Sequence, residues 1–522
     1  MTVAVCARGE RKNVPDETDS QVSSVHDGAA KGSMFSYELR LNSLSRSPHK
    51  VFLIIGLVFG LLFIFLTPPF LAPDEWMHFD RAYLTSEGRC KAEKFSTQSG
   101  YFVGAMLPEG VGIVEELAEL NLPYSPRNVR RLPSLQTYLH DKYLSKRKFS
   151  KQTILSLFNM PLHRSVPLLA HKLLVPFPNT ALYLPHLYLP QAVGIALGRL
   201  LGLPMIALMY AGRLLNLLVW LCLIYIAIRT TPVLKWLFLL YALTPTSLFQ
   251  SSSLSADSLT NALSILLTAV VFHYAYDREE MTARLAVIFP LALAVSVSKL
   301  YFVLVLLYLL VPVQKIGNRK RYWTSFLLLT ILSAVSVLLW RYYANDIYVP
   351  LKPGISPPDQ LKYIFHNPTA YISVLWRTFL NSGIYCAQTF VGKLGHYQQV
   401  LPVWLAAVQI VMLILVTSMD ADEHVHISCK DKLILSSVVL AGALWVFTSQ
   451  YLSWTPVGAN VIEGLQGRYF IPIMLPFFML FYHRRSGLRR YIQEFSWVIA
   501  CYTVLSLSFS AYFILKGYYY HL

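Results

Sequence analysis

Charge is scarce in this chain, and acid scarcer still. Of 522 residues only 14 % are charged, and 28 acids face 45 lysines and arginines, for a net charge of +17. A soluble domain carries roughly 25 % charged residues. No GxSxG elbow, P-loop or GxGxxG stretch occurs, so a serine hydrolase or a nucleotide-driven enzyme has no motif to stand on. The six cysteines (Cys6, Cys90, Cys222, Cys386, Cys429 and Cys501) include no CxxC pair and no zinc-ligand spacing. Cys90 and Cys386 are the two that fall outside both the apolar runs and the cytoplasmic side, and they are either a disulfide or two unrelated thiols. The first 34 residues are polar and lack the apolar core of a signal peptide. Residues 1–50 read as a disordered cytoplasmic tail.

Apolar sequence is abundant: 55 % of residues are hydrophobic and mean hydropathy is +0.46. The runs are continuous rather than alternating, which points to helices and away from a transmembrane barrel. The expected spans are 51–66, 204–228, 233–250, 257–276, 284–298, 300–313, 323–340, 401–418, 433–450, 468–483 and 495–515. With the N-terminus in the cytoplasm, the short inner loops carry Arg229, Lys235, Arg278, Arg284, Lys315, Arg319, Lys320, Arg321, Lys430, Lys432, Arg484, Arg485, Arg489 and Arg490. The short outer loops 251–256 and 451–467 carry no Lys or Arg, as the positive-inside rule requires. Segment 183–203 would invert this pattern if it crossed. It therefore reads as an interfacial or re-entrant helix, giving 11 spans, with 12 as the alternative. The fold class is an all-α polytopic membrane protein with two long outer loops, 67–203 and 341–400; a C-terminal loop and last helix occupy 484–522. Membrane topology accounts for most of the basic residues, so lipid, and no nucleic acid, is the expected partner.

Unusual polar residues gather on the outer side. The first apolar run leads into Thr67-Pro-Pro-Phe-Leu-Ala-Pro-Asp-Glu-Trp-Met-His-Phe-Asp-Arg81. A helix starting after Pro73 puts Asp74, His78 and Arg81 on one face. Asp257, Lys299, Gln466 and Arg468 lie at other outer turns, and Arg213 and Asn216 lie inside the second span. Each has a plainer reading as well. Asp74 and Glu75 could cap a helix, His78 could be a core histidine, Lys299 could snorkel, Arg468 could anchor at the interface, and Arg213 could pair structurally with Asp257. The Glu75-Trp-Met-His78 stretch lacks the first histidine of the HExxH zinc signature.

Several stretches, in order, carry a resemblance: Pro68 to Arg81, Tyr188-Leu-Pro-Gln191 through Arg213-Leu-Leu-Asn216, Ser253-Leu-Ser-Ala-Asp-Ser258, Gln388-Thr-Phe-Val-Gly-Lys-Leu-Gly395 and Gly464-Leu-Gln-Gly-Arg-Tyr-Phe-Ile-Pro472. Over roughly 50–480 the chain resembles a bacterial family of predicted membrane proteins catalogued as a domain of unknown function. That family is itself similar to the C-type glycosyltransferases (GT-C), which use polyprenyl-phosphate sugars. After Gly395 the family pattern has an aromatic and an acidic residue, whereas this chain has His396-Tyr-Gln-Gln399.

The resemblance implies a GT-C-like membrane domain over 51–483 in a bacterial inner membrane. It also implies transfer of a sugar from a polyprenyl-phosphate carrier to a cell-envelope glycan or lipid acceptor, as in polysaccharide biosynthesis. Asp74 is the implied base or metal holder and Glu75 its partner. His78, Arg81, Arg213, Asp257, Lys299, Gln466 and Arg468 are the expected substrate and phosphate contacts. Asp74, Glu75 and His78 could hold Mg²⁺ or Mn²⁺, although no complete ligand set is visible and metal use is open. A transporter or flippase of lipid-linked glycans, and a non-catalytic scaffold, are the competing classes.

Overall fold

The computed structural model describes residues 47–97, 100–119, 151–159, 172–277, 282–299, 301–395, 399–483 and 492–520. The expected tail lies almost wholly outside them, as do Arg278, Arg484, Arg485, Arg489, Arg490 and His396. In chain order the elements are α1 (Pro48–Leu66), α2 (Glu75–Ser86), β1 (Glu93–Thr97), β2 (Gly100–Pro108), α3 (Glu109–Glu119), β3 (Lys172–Pro176) and α4 (Leu189–Leu200). Then come α5 (Met205–Thr230), α6 (Lys235–Ala242), α7 (Pro245–Ser251), α8 (Asp257–Tyr276), α9 (Leu285–Val297) and a 3₁₀ stretch, Phe302–Leu310. The chain continues through α10 (Arg319–Tyr343), α11 (Pro357–His366), α12 (Pro368–Gly392), α13 (Val403–Met419), α14 (Cys429–Ser453), a 3₁₀ turn at Gly467–Phe470, α15 (Ile471–Met479) and α16 (Ile492–Tyr518).

Among the described residues, six helices are long and apolar enough to cross a membrane: α1, α5, α8, α10, α14 and, within α16, Phe495–Tyr518. The protein is therefore a polytopic α-helical membrane protein. Segments Leu285–Val297, Val403–Met419 and Gly467–Met479 are apolar but shorter. Two expected spans take another form. The run at 233–250 breaks into α6 and α7 because Pro245, which has no N–H to continue a helix, starts a new one. The run at 300–313 winds as nine residues of 3₁₀ helix, about 18 Å at ~2 Å per residue, well short of a ~30 Å core.

Loop 67–203 has the structure its length demanded. Its described strands form an antiparallel sheet in the order β1-β2-β3, a small β element among described residues that are otherwise mostly helical. On β2, Val103, Ala105 and Leu107 share a face and are buried, while Phe102 and Met106 on the other face are only half-buried, the alternation of a one-sided sheet. Those side chains share a core with Phe70, Phe79, Tyr83 and Leu84 from the residues around α2, so the sheet backs the helix that carries His78.

Segment 183–203 holds α4, whose 12 residues reach about 18 Å, short of a ~30 Å core. One face lies hard against α5, where a Cβ on Gly194 would meet the Ala211 carbonyl oxygen at 2.4 Å. The other face exposes Leu189, Val193, Leu197 and Leu200.

One buried ion pair joins these parts. Arg213, on α5, donates from Nε to Glu75 Oε1 at 2.8 Å and from Nη2 to Oε2 at 2.5 Å, and neither side chain is more than 1 % exposed. Its remaining donors reach the carbonyls of Ile64, Thr67 and Pro68 at 2.9–3.0 Å, all at the end of α1. Glu75 accepts in addition from the backbone N–H groups of Ala72 and Leu254. The pair thus ties the end of α1, the start of α2 and the turn before α8 to the wall of α5. Loss of one partner strands a buried charge, which costs about 3–5 kcal/mol. Glu75→Ala and Arg213→Ala should each sharply lower the yield of folded protein and its melting temperature in detergent. The double variant should lose less than the sum of the two, whereas strictly additive losses would mean that the pair is not coupled.

Candidate functional site

The turn Pro68–Asp74 throws its last side chain away from the helix that it begins. Phe70 and Asp74 both have left-handed backbones, with φ of 63° and 56°, a conformation costing a non-glycine residue roughly 1–2 kcal/mol. Asp74 occupies the N-cap position of α2, yet its side chain makes no capping hydrogen bond. The capping explanation of this residue therefore fails. The carboxylate instead approaches Arg468, with Oδ2 at 3.6 Å from Nη2, and its side chain is 30 % exposed.

Arg468 stands in the 3₁₀ turn Gly467–Phe470. That turn is pressed onto α12, since a Cβ on Gly467 would lie 1.7 Å from the Cys386 carbonyl oxygen, and the Gly467 N–H donates to Thr389 Oγ1 at 2.7 Å. The buried guanidinium also lies 3.8 Å from Asp257 Oδ2. Both acid contacts are long, and its Nε has no hydrogen-bond partner; nor has Gln466 Oε1, two residues earlier.

Asp257 opens α8, where the helix dipole favours an acid. It accepts from Gln250 Nε2 at 2.8 Å and is in close ionic contact with Lys299 Nζ. Lys299 makes its tight turn at φ 50° and lies over the Tyr183 ring, 4.6 Å from the centroid. Burial disfavours its ammonium, but Asp257 outweighs burial and raises the pKa above the usual lysine value. This lysine is a fixed cation, not a snorkelling one.

His78 is buried, and its Nδ1 lies 2.8 Å from Tyr188 Oη. Burial, helped by Lys299, pushes its pKa down to about 3 against the weaker pull of Asp74 and Asp257. The imidazole is neutral across the physiological range. It can orient a hydroxyl, but as a neutral group it brings no positive charge to a phosphate.

The structure thus brings together Asp74, His78, Asp257, Lys299 and Arg468, with Gln466 two residues before Arg468 in the chain, and sends three expected members elsewhere. Glu75 and Arg213 saturate one another, so Glu75 is no catalytic partner and Arg213 no phosphate ligand; Arg213 pairs with Glu75 rather than with Asp257. Arg81 Nη2 donates to the carbonyls of Cys90 and Tyr183, at 2.7 and 3.0 Å, and so holds loops, while its buried Nε and Nη1 have no hydrogen-bond partner. Among the described residues no group of three His, Cys, Asp or Glu side chains converges as a metal site. Glu75 is committed to Arg213 and His78 to Tyr188, so the proposed Mg²⁺ or Mn²⁺ set does not fit. Cys90 and Cys386 are free thiols, which removes the disulfide alternative.

Sequence reasoning missed Tyr188. Tyr188 had no signal beyond its place in the stretch Tyr188-Leu-Pro-Gln191. Chemically, the cluster offers a half-exposed carboxylate, a neutral imidazole and a set of buried cations in one place.

No curated protein and no solved structure matches the chain. Residues 57–476 match the family described as predicted membrane protein (DUF2142), and the chain belongs to that family.

Proposed function

We propose that this protein is a membrane glycosyltransferase. It transfers a sugar from a polyprenyl-phosphate carrier to a glycan or lipid acceptor of the bacterial cell envelope. The observation that carries this reading is Asp74, a strained acid that caps nothing and stands half-exposed among buried cations; strain of this kind collects at functional sites. In the reaction the acceptor hydroxyl attacks the anomeric carbon while Asp74 takes its proton. The carbon–oxygen bond to phosphate breaks, and the carrier leaves as a polyprenyl phosphate whose new charge Arg468 and Lys299 receive. His78, held neutral, orients Tyr188 beside them. A transporter would spread charges along a path through the membrane, whereas these lie at one end of the bundle.

The accompanying topology is GT-C-like. Eleven crossings are proposed, some by broken or short elements, with the N-terminus in the cytoplasm of the inner membrane and the site facing outward. The basic residues Lys235 and Lys432 support this, since they lie at the starts of α6 and α14, at the opposite ends of those helices from the site. A reporter active only outside the cytoplasm should work when fused after Leu522 and fail after Arg321; activity at both or neither would sink the orientation.

Asp74→Asn is the decisive variant. Asparagine tolerates a left-handed backbone, so the turn should survive, but an amide cannot take the acceptor's proton. Transfer should fall by ~10²–10⁴-fold at parental expression and melting temperature. Transfer within a few-fold of parent would remove Asp74 as the base.

Arg468→Lys keeps the charge and loses the forked donors. The worth of one charge-assisted hydrogen bond, ~1.5 kcal/mol or more, corresponds to a rise of about tenfold in KM for the polyprenyl donor. The acceptor's KM should not move; an equal rise for both substrates would argue for general damage to the site.

A further inference from the structure

The turn that presents Asp74 is held at both ends by the buried ion pair. Arg213 takes the carbonyls of Ile64, Thr67 and Pro68, and Glu75 takes the Ala72 N–H. Its middle is held by α16, which lies beyond residues 57–476, the stretch that matches the family. Near the end of that helix the buried Tyr518 donates from Oη to the Leu71 carbonyl at 3.2 Å. Leu71 is itself buried and stands between the two left-handed residues, Phe70 and Asp74. A buried carbonyl needs a donor, and α16 brings one to the most strained part of the turn.

The loop after α12 is shaped to this contact. A Cβ on Gly395 would lie 2.1 Å from Tyr518 Oη, and a Cβ on Gly517 would lie 2.3 Å from the Gln399 amide. The Leu394 N–H donates to the Gln399 carbonyl at 2.7 Å, and Lys393 and Val400 form an antiparallel bridge, so the loop is closed on itself. The Lys393 N–H, donating to Thr246 Oγ1 at 2.7 Å, ties it to α7. The Tyr518 hydroxyl is thereby confined between the Gly395 backbone and the Leu71 carbonyl.

We infer that Tyr518 is a positioning residue, and that α16 braces the turn so that Asp74 keeps its left-handed angle and stays beside Arg468. This rests on the reading of Asp74 as the base. Strained residues persist only where their surroundings over-determine them. A base displaced by about 1 Å can cost ~10²-fold in rate. Tyr518 touches no reacting atom and acts through the turn alone.

Tyr518→Phe keeps the ring and loses the hydroxyl. In the full-length protein in detergent, the amides of Phe70 to Glu75 should exchange with deuterium up to about tenfold faster, the worth of one hydrogen bond, while α5 exchanges as in the parent. In cells that carry each variant as their sole copy and are fed radiolabelled glucose, label entering envelope glycan should fall by roughly tenfold. Added to Asp74→Asn, Tyr518→Phe should cause no further fall, because no base is left to place. Gly395→Ala, whose Cβ drives the hydroxyl off Leu71, should match Tyr518→Phe in both measurements, and the two together should lose no more than either alone. Parental exchange in the turn, parental incorporation, or an additive loss in the Asp74→Asn background would overturn the inference and leave Asp74 as the base. If Asp74→Asn by itself incorporates label at the parental rate, the base reading falls and this inference with it. Should Tyr518→Phe fail to fold, Gly395→Ala decides in its place.

Discussion

The buried pair of Glu75 and Arg213 is the constraint on which the rest of this end of the protein depends. An arginine at that depth is costly unless all its donors are met. Here they are met by one carboxylate and by three carbonyls at the end of α1. That requirement fixes where α1 stops, where α2 begins and how both stand against α5. It also over-determines the turn between them, which is how two left-handed non-glycine residues persist within five positions. Two consecutive acids consequently have opposite duties. Glu75 is used up in holding the turn, and Asp74, thrown to the other side by its backbone, is what the turn presents.

Around Asp74 the charges differ in how firmly they are held. Asp257 and Lys299 are in close contact and are supported by Gln250 and by the Tyr183 ring. Arg468 has only long contacts with its two acids and one donor unused. A guanidinium held this way is rigidly placed, because its turn is pressed onto α12, but its hydrogen-bonding capacity is not exhausted. Rigid placement with spare donors is the arrangement that receives developing negative charge without reorganisation.

Much of this was legible in the residues. Composition and continuous apolar runs established a polytopic helical membrane protein, and the six long spanning helices fall on runs that hydropathy picked out. The crowding of Asp74, His78, Asp257, Lys299 and Arg468 at one end followed from sorting turns by side. The expected helical face of Asp74, His78 and Arg81 did not form, because Asp74 is left-handed and precedes α2 and Arg81 turns to loop carbonyls. Pro245 was visible too, although hydropathy passed over the break it makes, because a window average does not register a missing N–H. The 3₁₀ winding of Phe302–Leu310 had no comparable marker.

What the sequence alone determined is therefore the class of the protein and the roll of polar residues crowded at one end, because burial in lipid and helical periodicity act locally along the chain. Only the tertiary structure decided which charge meets which. Glu75 and Asp74 are neighbours of the same type, and nothing in their order says that one will be sealed against Arg213, 138 residues away, while the other faces Arg468. That choice is made by a left-handed backbone angle at Asp74 and by the unmet donors of a buried arginine. Both arise only when α1, α2 and α5 are packed together.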